Sequence, residues 1–153
     1  PTPPPPSRSK AEEEPPFCLG SQSQGEEQTL TSLMDLAKEG VFIAQALVRR
    51  GGSCSRSLSC LAADHRRALR QLSAAYFLII GQRYRPPIPS VVINASLPLA
   101  LRDQFVWEQR WERANQQAAE TTSDACLKEL YQELAQDGVL HAATIRSLLE
   151  QMG

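Results

Sequence analysis

Residues 57–84, SLSCLAADHRRALRQLSAAYFLIIGQRY, form the longest apolar-periodic run in the chain and decide the expected fold. Apolar side chains recur here at steps of three and four residues, which places them on one face of an α-helix. The part from Tyr76 to Ile80 is apolar on every side, and such a helix is buried on more than one side. The pattern predicts a central helix, with Arg66, Arg67 and Arg70 outside its apolar stripe.

Helical periodicity continues on both sides of this run and predicts an all-α bundle of about five helices. A first helix ends at Gly51-Gly52, because glycine commonly follows the last turn of a helix. A third begins near Leu97, a fourth is capped by Ser123, and a fifth covers residues 140–152. Asp137-Gly138 is interpreted as the turn between the last two helices.

A proline-rich segment separates the second helix from the third. Arg85-Pro86-Pro87-Ile88-Pro89 stops helix formation, since proline lacks the N–H that a helix interior needs and fixes the chain extended. Val91-Val92-Ile93 is β-branched, but no second strand is visible to pair with it. We therefore expect a proline-containing extended strap between helices 2 and 3.

The N-terminal residues have the composition of a flexible arm. Proline, serine and glutamate dominate residues 1–26, which cannot bury enough apolar surface to offset their chain entropy. We expect a disordered arm or linker there, followed by a bundle domain over residues 27–153. Within the arm, Pro3, Pro6 and Arg8 have the spacing of an SH3-type ligand, although a plain linker is the simpler interpretation.

Three smaller features of the N-terminal region leave alternatives open. Ser21-Gln22 and Ser23-Gln24 match the target pattern of a glutamine-directed kinase, which also occurs often by chance. Residues 16–19 form either a short linear motif or a strap that docks back on the domain. The chain begins with proline rather than methionine, and we expect it to be a piece of a larger protein.

The net charge of −1 conceals an uneven distribution of charge. Residues 49–85 contain eight arginines and one acidic residue, whereas acidic residues exceed basic ones in 1–48 and in 86–153. The simplest interpretation is that acidic helices neutralise a basic helix within the bundle. The alternative is a basic surface for phosphates or for an acidic partner.

The cysteines and the hydropathy indicate a cellular compartment. The four cysteines have no zinc-ligand spacing, and the sequence contains no signal peptide and no apolar run long enough to span a bilayer. An intracellular, reducing location, nuclear or cytoplasmic, is therefore expected.

Catalytic patterns are missing from the sequence, which has no P-loop, no HExxH and no GxSxG. His65 is interpreted as a hydrogen-bonded helix histidine and His141 as a residue near a helix start. Glu108 and Glu112 alternate with arginines, which is typical of a solvated face rather than of an acid–base pair. We expect no enzyme activity, no catalytic residue, no cofactor and no metal.

Interaction is the remaining class of function. Tryptophan and arginine often dominate binding energy, although a buried core is the simpler interpretation of the two tryptophans. The candidate residues for binding a partner or phosphate are Arg56, Arg66, Arg67, Arg70, Phe77, Phe105, Trp107 and Trp111. We expect a non-catalytic protein–protein interaction or assembly module of a larger intracellular protein, binding a protein partner or itself and no membrane. The alternative is a nucleic-acid-associated domain that binds phosphates through residues 49–85.

Overall fold

The computed structural model describes residues 18–153, which fold into a bundle of four long α-helices. The helices are α1 (Glu27–Arg50), α2 (Ser55–Ile80), α3 (Leu97–Thr121) and α4 (Ala125–Met152). Short 3-10 turns at Ser21–Glu26 and Gly52–Cys54 precede α1 and α2. The all-α class predicted from the periodicity is confirmed. Within this part of the chain, no helix combines the length and the apolar character that a bilayer span requires.

The prediction of five helices is wrong, because α4 runs without interruption through Asp137-Gly138. Gly138 is buried, and a Cβ atom added to it would lie 3.0 Å from the carbonyl oxygen of Glu108 and 3.1 Å from the Cβ of Glu112. The glycine therefore allows α4 to approach α3 closely. It does so at a cost in helix propensity of roughly 1 kcal/mol relative to alanine.

The four helices form two antiparallel hairpins, α1–α2 and α3–α4, which pack side by side. α1 also packs against α3, and α2 against α4, so the order around the bundle is α1, α2, α4, α3. Trp107 of α3 contacts Gly40 of α1, and the later Ala118 lies beside the earlier Leu33, so α3 runs antiparallel to α1.

Residues 81–96 cross from one hairpin to the other and contain neither helix nor strand. Side chains of α1 bind carbonyl groups of this crossover. Lys38 Nζ donates to the Pro86 carbonyl at 2.8 Å, and Arg50 donates to that of Asn94 at 2.6 Å. The crossover therefore follows α1 from its middle to its C-terminal end, where α3 begins.

The residues that precede α1 are attached to the start of α4. Cys18 and Cys126 form a disulfide, with their Cα atoms 5.1 Å apart. The N–H of Leu19 and the hydroxyl of Ser23 both donate to the Asp124 carboxylate. Asp124 also caps α4 by accepting from the N–H of Leu127, whereas the sequence predicted Ser123 as the cap.

The helical unit described by the structure therefore begins earlier than the boundary predicted at residue 27. Residues 18–26, assigned to the disordered arm from composition, dock on the bundle. Of residues 16–19, interpreted as a linear motif or as a docking strap, only Cys18 and Leu19 belong to the described part of the chain. The rest of the predicted arm, including the SH3-type motif at Pro3, Pro6 and Arg8, lies outside the described residues.

The docking of residues 18–26 predicts a specific dependence of stability on pH. Burial raises the pKa of the Asp124 carboxyl, but the hydrogen bonds from Ser23, Leu127 and Leu19 outweigh burial and hold that pKa below its usual range. A carboxyl with a lower pKa in the folded state stabilises the protein above its unfolded pKa. This stabilisation disappears as the pH falls through the folded pKa.

We therefore expect Asp124→Asn to destabilise the protein at pH 7 and to differ much less from wild type near pH 3. Urea denaturation at both pH values, followed by circular dichroism, measures the difference. Asp103→Asn, an exposed site on α3, is the matched control and should give the same small difference at both pH values. A cost of Asp124→Asn that stays constant with pH would contradict the assignment.

The core of the bundle consists of two apolar clusters that follow one another along its length. The first lies where α1 begins and is built around Leu30, Met34, Leu72, Trp111, Leu127 and Tyr131. The second lies where α1 ends and is built around Leu47, Leu58, Leu101, Ile145 and Leu148. Between the two clusters the facing positions of α2, α3 and α4 are polar.

Candidate functional site

Four polar side chains form a buried layer between the two apolar clusters. His65 comes from α2, Gln104 and Glu108 come from α3, and His141 comes from α4. Their exposed fractions are 1% for His65, 1% for Gln104, 0% for Glu108 and 5% for His141. His65 and His141 are the two histidines of the whole chain, so the fold brings every imidazole to one place. We call these four residues the polar layer.

Glu108 is the centre of the polar layer. Its Oε2 atom lies 2.7 Å from His65 Nε2 and accepts a hydrogen bond from Gln104 Nε2 at 2.8 Å. Its Oε1 atom lies 3.0 Å from His141 Nδ1. A buried carboxylate is costly unless it is paired and hydrogen-bonded, and both oxygens of Glu108 have such partners.

Asp64 connects the polar layer to the surface. His141 Nε2 lies 2.8 Å from Asp64 Oδ2, so the ring of His141 is held between two carboxylates. Asp64 is only partly buried, and Arg67 lies 3.5 Å from its other oxygen. A surface groove lined in part by Cys60, Asp64, Asp137 and His141 opens from this side of the bundle.

Within the polar layer, Glu108 and His141 shift each other's pKa toward the charged form. Burial raises the pKa of Glu108, but hydrogen bonds from His141 and His65 and their charges outweigh burial and bring that pKa below its usual range. Burial lowers the pKa of His141, but Glu108 and Asp64 outweigh burial and raise it. The pairing therefore favours the ionised form of Glu108 and the protonated form of His141. At the edge of the layer, burial raises the pKa of Asp137.

Aromatic rings hold His65 in place. Trp107 and Trp111 each meet the imidazole edge to face, with ring centroids 4.9 Å and 5.7 Å away. The two indoles stack on each other, and Trp107 Nε1 donates to Glu39 Oε1 at 2.7 Å. These contacts orient the imidazole toward Glu108.

Gly40 of α1 makes room for one of these rings. A Cβ atom added to Gly40 would overlap the indole of Trp107 and lie 2.9 Å from its Cζ2 atom. From the sequence, Gly40 indicates either a weak point of the helix or a closely approaching backbone. The group that approaches Gly40 is the indole side chain of Trp107, and the sequence around a glycine does not reveal such a contact.

The structure separates the aromatic residues predicted for binding. Trp107 and Trp111 are buried beside the polar layer. Phe105 is half-buried on another side of α3, where it packs against the second apolar cluster. Phe77 is exposed near the end of α2, and the Arg83 guanidinium lies over its ring, 4.5 Å from the centroid. These four side chains do not form one groove.

The predicted arginine residues lie on the surface of α2. Arg56, Arg66, Arg67 and Arg70 are all exposed. Arg67 contacts two acidic residues, Asp64 at 3.5 Å and Asp137 at 4.0 Å, whereas no ion pair of the other three is found among the described residues. Of these arginines, Arg67 is thus placed at the edge of the polar layer.

The sequence interpretation missed Glu108 and His141. It placed Glu108 on a solvated face because arginines alternate with it, yet the residue is fully buried. A signal was present in α3, where buried positions recur at steps of three and four residues. That stripe contains Leu101, Gln104, Glu108, Trp111, Asn115 and Ala118. Polar residues at core spacing indicate a buried polar network rather than a wet surface.

A second feature is an apolar groove between the crossover and the helices α1 and α3. It has a volume of about 210 Å3 and is lined mainly by Ile43, Val92, Ile93, Ala100, Val106 and Trp107. Asp103 and Arg110 lie at its rim with opposite charges. Val92 is 92% exposed and Val106 is 47% exposed, so apolar surface remains open to solvent here. We call this feature the crossover groove.

Comparison of the chain with protein-family models, with curated proteins and with solved structures finds no significant match.

Proposed function

We propose that this protein is a non-catalytic α-helical module that binds another protein through the crossover groove. The observation that supports this proposal is a continuous apolar surface that the fold leaves uncovered. Val92 of the crossover stands almost fully in solvent beside Val106 of α3, and both line the groove. Contiguous exposed apolar surface bounded by polar residues is typical of interaction sites.

Helix geometry extends the apolar surface along α3. Leu99, Asp103, Val106 and Arg110 follow one another at steps of four, three and four residues, which places them on one face of the helix. Leu99 is 50% exposed and adds a further apolar side chain to this face, one turn before Asp103. Asp103 and Arg110 then supply the polar rim that surrounds the apolar centre of a protein interface.

The size of the groove favours a side chain of a partner protein over a metabolite. Pockets for small molecules measure roughly 300–1,000 Å3, whereas the crossover groove has about 210 Å3. It is also formed in part by the crossover, whose segment from Ile88 to Val92 presents two strongly exposed apolar side chains. A partner that inserts one bulky apolar side chain and covers these residues fits this shape.

A photo-crosslinking amino acid at Leu99, at the border of the groove, identifies what covers it. The captured protein is then purified, and its affinity is measured by calorimetry against the wild type and against Val106→Glu. We expect Val106→Glu to weaken binding at least tenfold, because it places a charge in the apolar centre. Val139→Glu introduces the same change on the exposed surface of α4 and should leave affinity unchanged. Equal losses from both variants, or none from Val106→Glu, would contradict the proposal.

The exposed arginines of α2 support a second candidate function, the binding of nucleic acid. Arg56, Arg66 and Arg70 present three positive charges to solvent. If they contact phosphates, affinity for duplex DNA should fall steeply with salt, and Arg66→Glu combined with Arg70→Glu should abolish it. Retained partner binding in the same variant would assign the two functions to different surfaces.

We also propose that this module belongs to a larger intracellular protein, nuclear or cytoplasmic. The disulfide between Cys18 and Cys126 weighs against a reducing compartment, because disulfides persist mainly in oxidising ones. The redox state of these two cysteines in cells therefore tests the proposed location.

A further inference from the structure

The polar layer contains the side chains that bind transition metals. We propose that His65, Glu108 and His141 form a binding site for a divalent first-row transition-metal ion, with Zn²⁺ as the reference ion. This site is distinct from the crossover groove and does not depend on the partner-binding proposal. A metal site would also explain why two imidazoles and a carboxylate are buried together, since the desolvation of such groups is costly.

The ligand set has the composition of known metal sites. Two imidazole nitrogens and one carboxylate oxygen bind zinc in hydrolases and iron(II) in oxygenases. In this protein one ligand atom from each of the three residues lies within 4.8 Å of the others. They come from α2, α3 and α4, so a bound ion would connect three of the four helices.

The candidate ligand atoms of the two histidines already lie close to the Glu108 carboxylate. Metal–ligand bonds of about 2.0–2.2 Å require neighbouring ligand atoms to lie about 3.0–3.5 Å apart. The carboxylate oxygens of Glu108 lie 2.7 Å from His65 Nε2 and 3.0 Å from His141 Nδ1. Coordination would require all three ligand atoms, which lie within 4.8 Å of one another, to take up these spacings. It would also release the imidazole protons that face Glu108, because a metal binds the deprotonated nitrogen.

Asp64 orients one ligand in the way that metal sites commonly do. A ligating histidine usually donates its second ring N–H to a carboxylate, which fixes the tautomer and leaves the first nitrogen for the metal. His141 has this arrangement, with Nε2 lying 2.8 Å from Asp64 Oδ2 and Nδ1 facing Glu108. Asp64 is thus a positioning residue for His141.

An unpartnered buried oxygen provides an independent indication. Gln104 Oε1 has no hydrogen-bond partner in the described part of the chain, although the side chain is almost fully buried. The nitrogen of the same amide contacts Glu108 Oε2, so the oxygen lies next to the polar layer. A half-turn of the amide exchanges the two atoms and presents the oxygen to an ion as a further ligand.

The groove beside Asp64 supplies an entry route. It has a volume of about 330 Å3 and reaches His141 from solvent. Two carboxylates, Asp64 and Asp137, line it, and negative groups raise the local concentration of cations. The ion would reach a buried site between helices, so we infer a structural ion rather than one that meets a substrate.

Imidazole NMR tests the site directly, because the chain contains two histidines and both belong to it. The untagged full chain is labelled with 15N-histidine, freed of metal with a chelator and titrated with Zn²⁺. We expect one equivalent to saturate binding and to shift the resonances of His65 Nε2 and His141 Nδ1, while His141 Nε2 stays protonated. Zn²⁺ that binds without moving these resonances, or no binding at tenfold excess, would overturn the proposal.

Variants separate ligands from positioning residues in the same titration. Glu108→Gln should weaken Zn²⁺ binding by more than about 100-fold, and Asp64→Asn by about 10–100-fold, as for outer partners of metal ligands. Glu112→Gln, one turn further along α3, is the matched control and should bind as wild type does. If Glu108→Gln fails to fold, the wild-type spectra and the Zn²⁺ affinity of Asp64→Asn still test the proposed site. Equal affinities of Asp64→Asn and Glu112→Gln would remove Asp64 from the site.

Discussion

Glu108→Ala is expected to lower the free energy of unfolding by about 3–5 kcal/mol, as the removal of one partner from a buried ion pair does. The carboxylate accepts from Gln104 and pairs with both histidines, so its removal leaves three buried polar groups without their central partner. It also leaves His141 in the core with only Asp64 beside it. Urea denaturation of metal-free protein at pH 7, followed by tryptophan fluorescence and circular dichroism, measures the change.

Two comparisons show whether the loss comes from the ion pair. Glu112→Ala removes the same side chain one turn along α3, where no hydrogen bond of that side chain is found among the described residues, and should cost less than about 1 kcal/mol. Replacing Glu108, His65 and His141 together by leucine should be far less harmful than Glu108→Ala, because no unpaired charge remains. A loss from Glu108→Ala as small as that from Glu112→Ala would mean that water replaces the hydrogen bonds of the Glu108 carboxylate.

Cys126→Ser is expected to lower the free energy of unfolding by about 2–5 kcal/mol. The bond to Cys18 closes a loop with a sequence separation of 108 residues, and long closed loops restrict the unfolded chain most. In the folded state the same bond keeps Leu19 and Ser23 beside Asp124. Denaturation midpoints of the wild type, with and without a reducing agent, and of the variant measure the effect.

Cys60→Ser is the matched control for this experiment, since Cys60 is exposed and unpaired. It should keep the wild-type midpoint and the wild-type sensitivity to reducing agent. Cys126→Ser should instead be insensitive to reducing agent and should resemble the reduced wild type. An unchanged midpoint in Cys126→Ser would show that the bond does not restrict the unfolded chain.

Local patterns were sufficient to predict the helices but not every boundary between them. The three- and four-residue periodicity of residues 57–84 correctly indicates a helix, because apolar spacing depends only on helix geometry. The enclosure predicted for its end, Tyr76 to Ile80, is wrong, since Phe77 is 40% exposed and Leu78 is 63% exposed. The pair Asp137-Gly138 was misleading, since glycine serves turns and close helix packing equally well. Which use applies depends on Glu108 and Glu112 across the interface, and these contacts exist only in the folded chain.

The polar layer and the disulfide depend on residues that are far apart in sequence. Glu108 meets His65 and His141 only after α2, α3 and α4 have packed, so its charged neighbours along α3 gave the wrong environment. Cys18 lies in a segment whose composition suggests disorder, and its partner Cys126 is on the last helix. Pairings of this kind are consequences of topology and cannot be obtained from spacing.

The polar layer also limits how the two hairpins can align. His65 belongs to the α1–α2 hairpin, whereas Glu108 and His141 belong to the α3–α4 hairpin. Sliding one hairpin by a single helical turn, about 5.4 Å, would move the imidazole of His65 away from the Glu108 carboxylate and leave Glu108 without one of its partners. The two apolar clusters alone would tolerate such a shift more easily. The contacts of Glu108 therefore favour a single alignment of the α1–α2 hairpin against the α3–α4 hairpin.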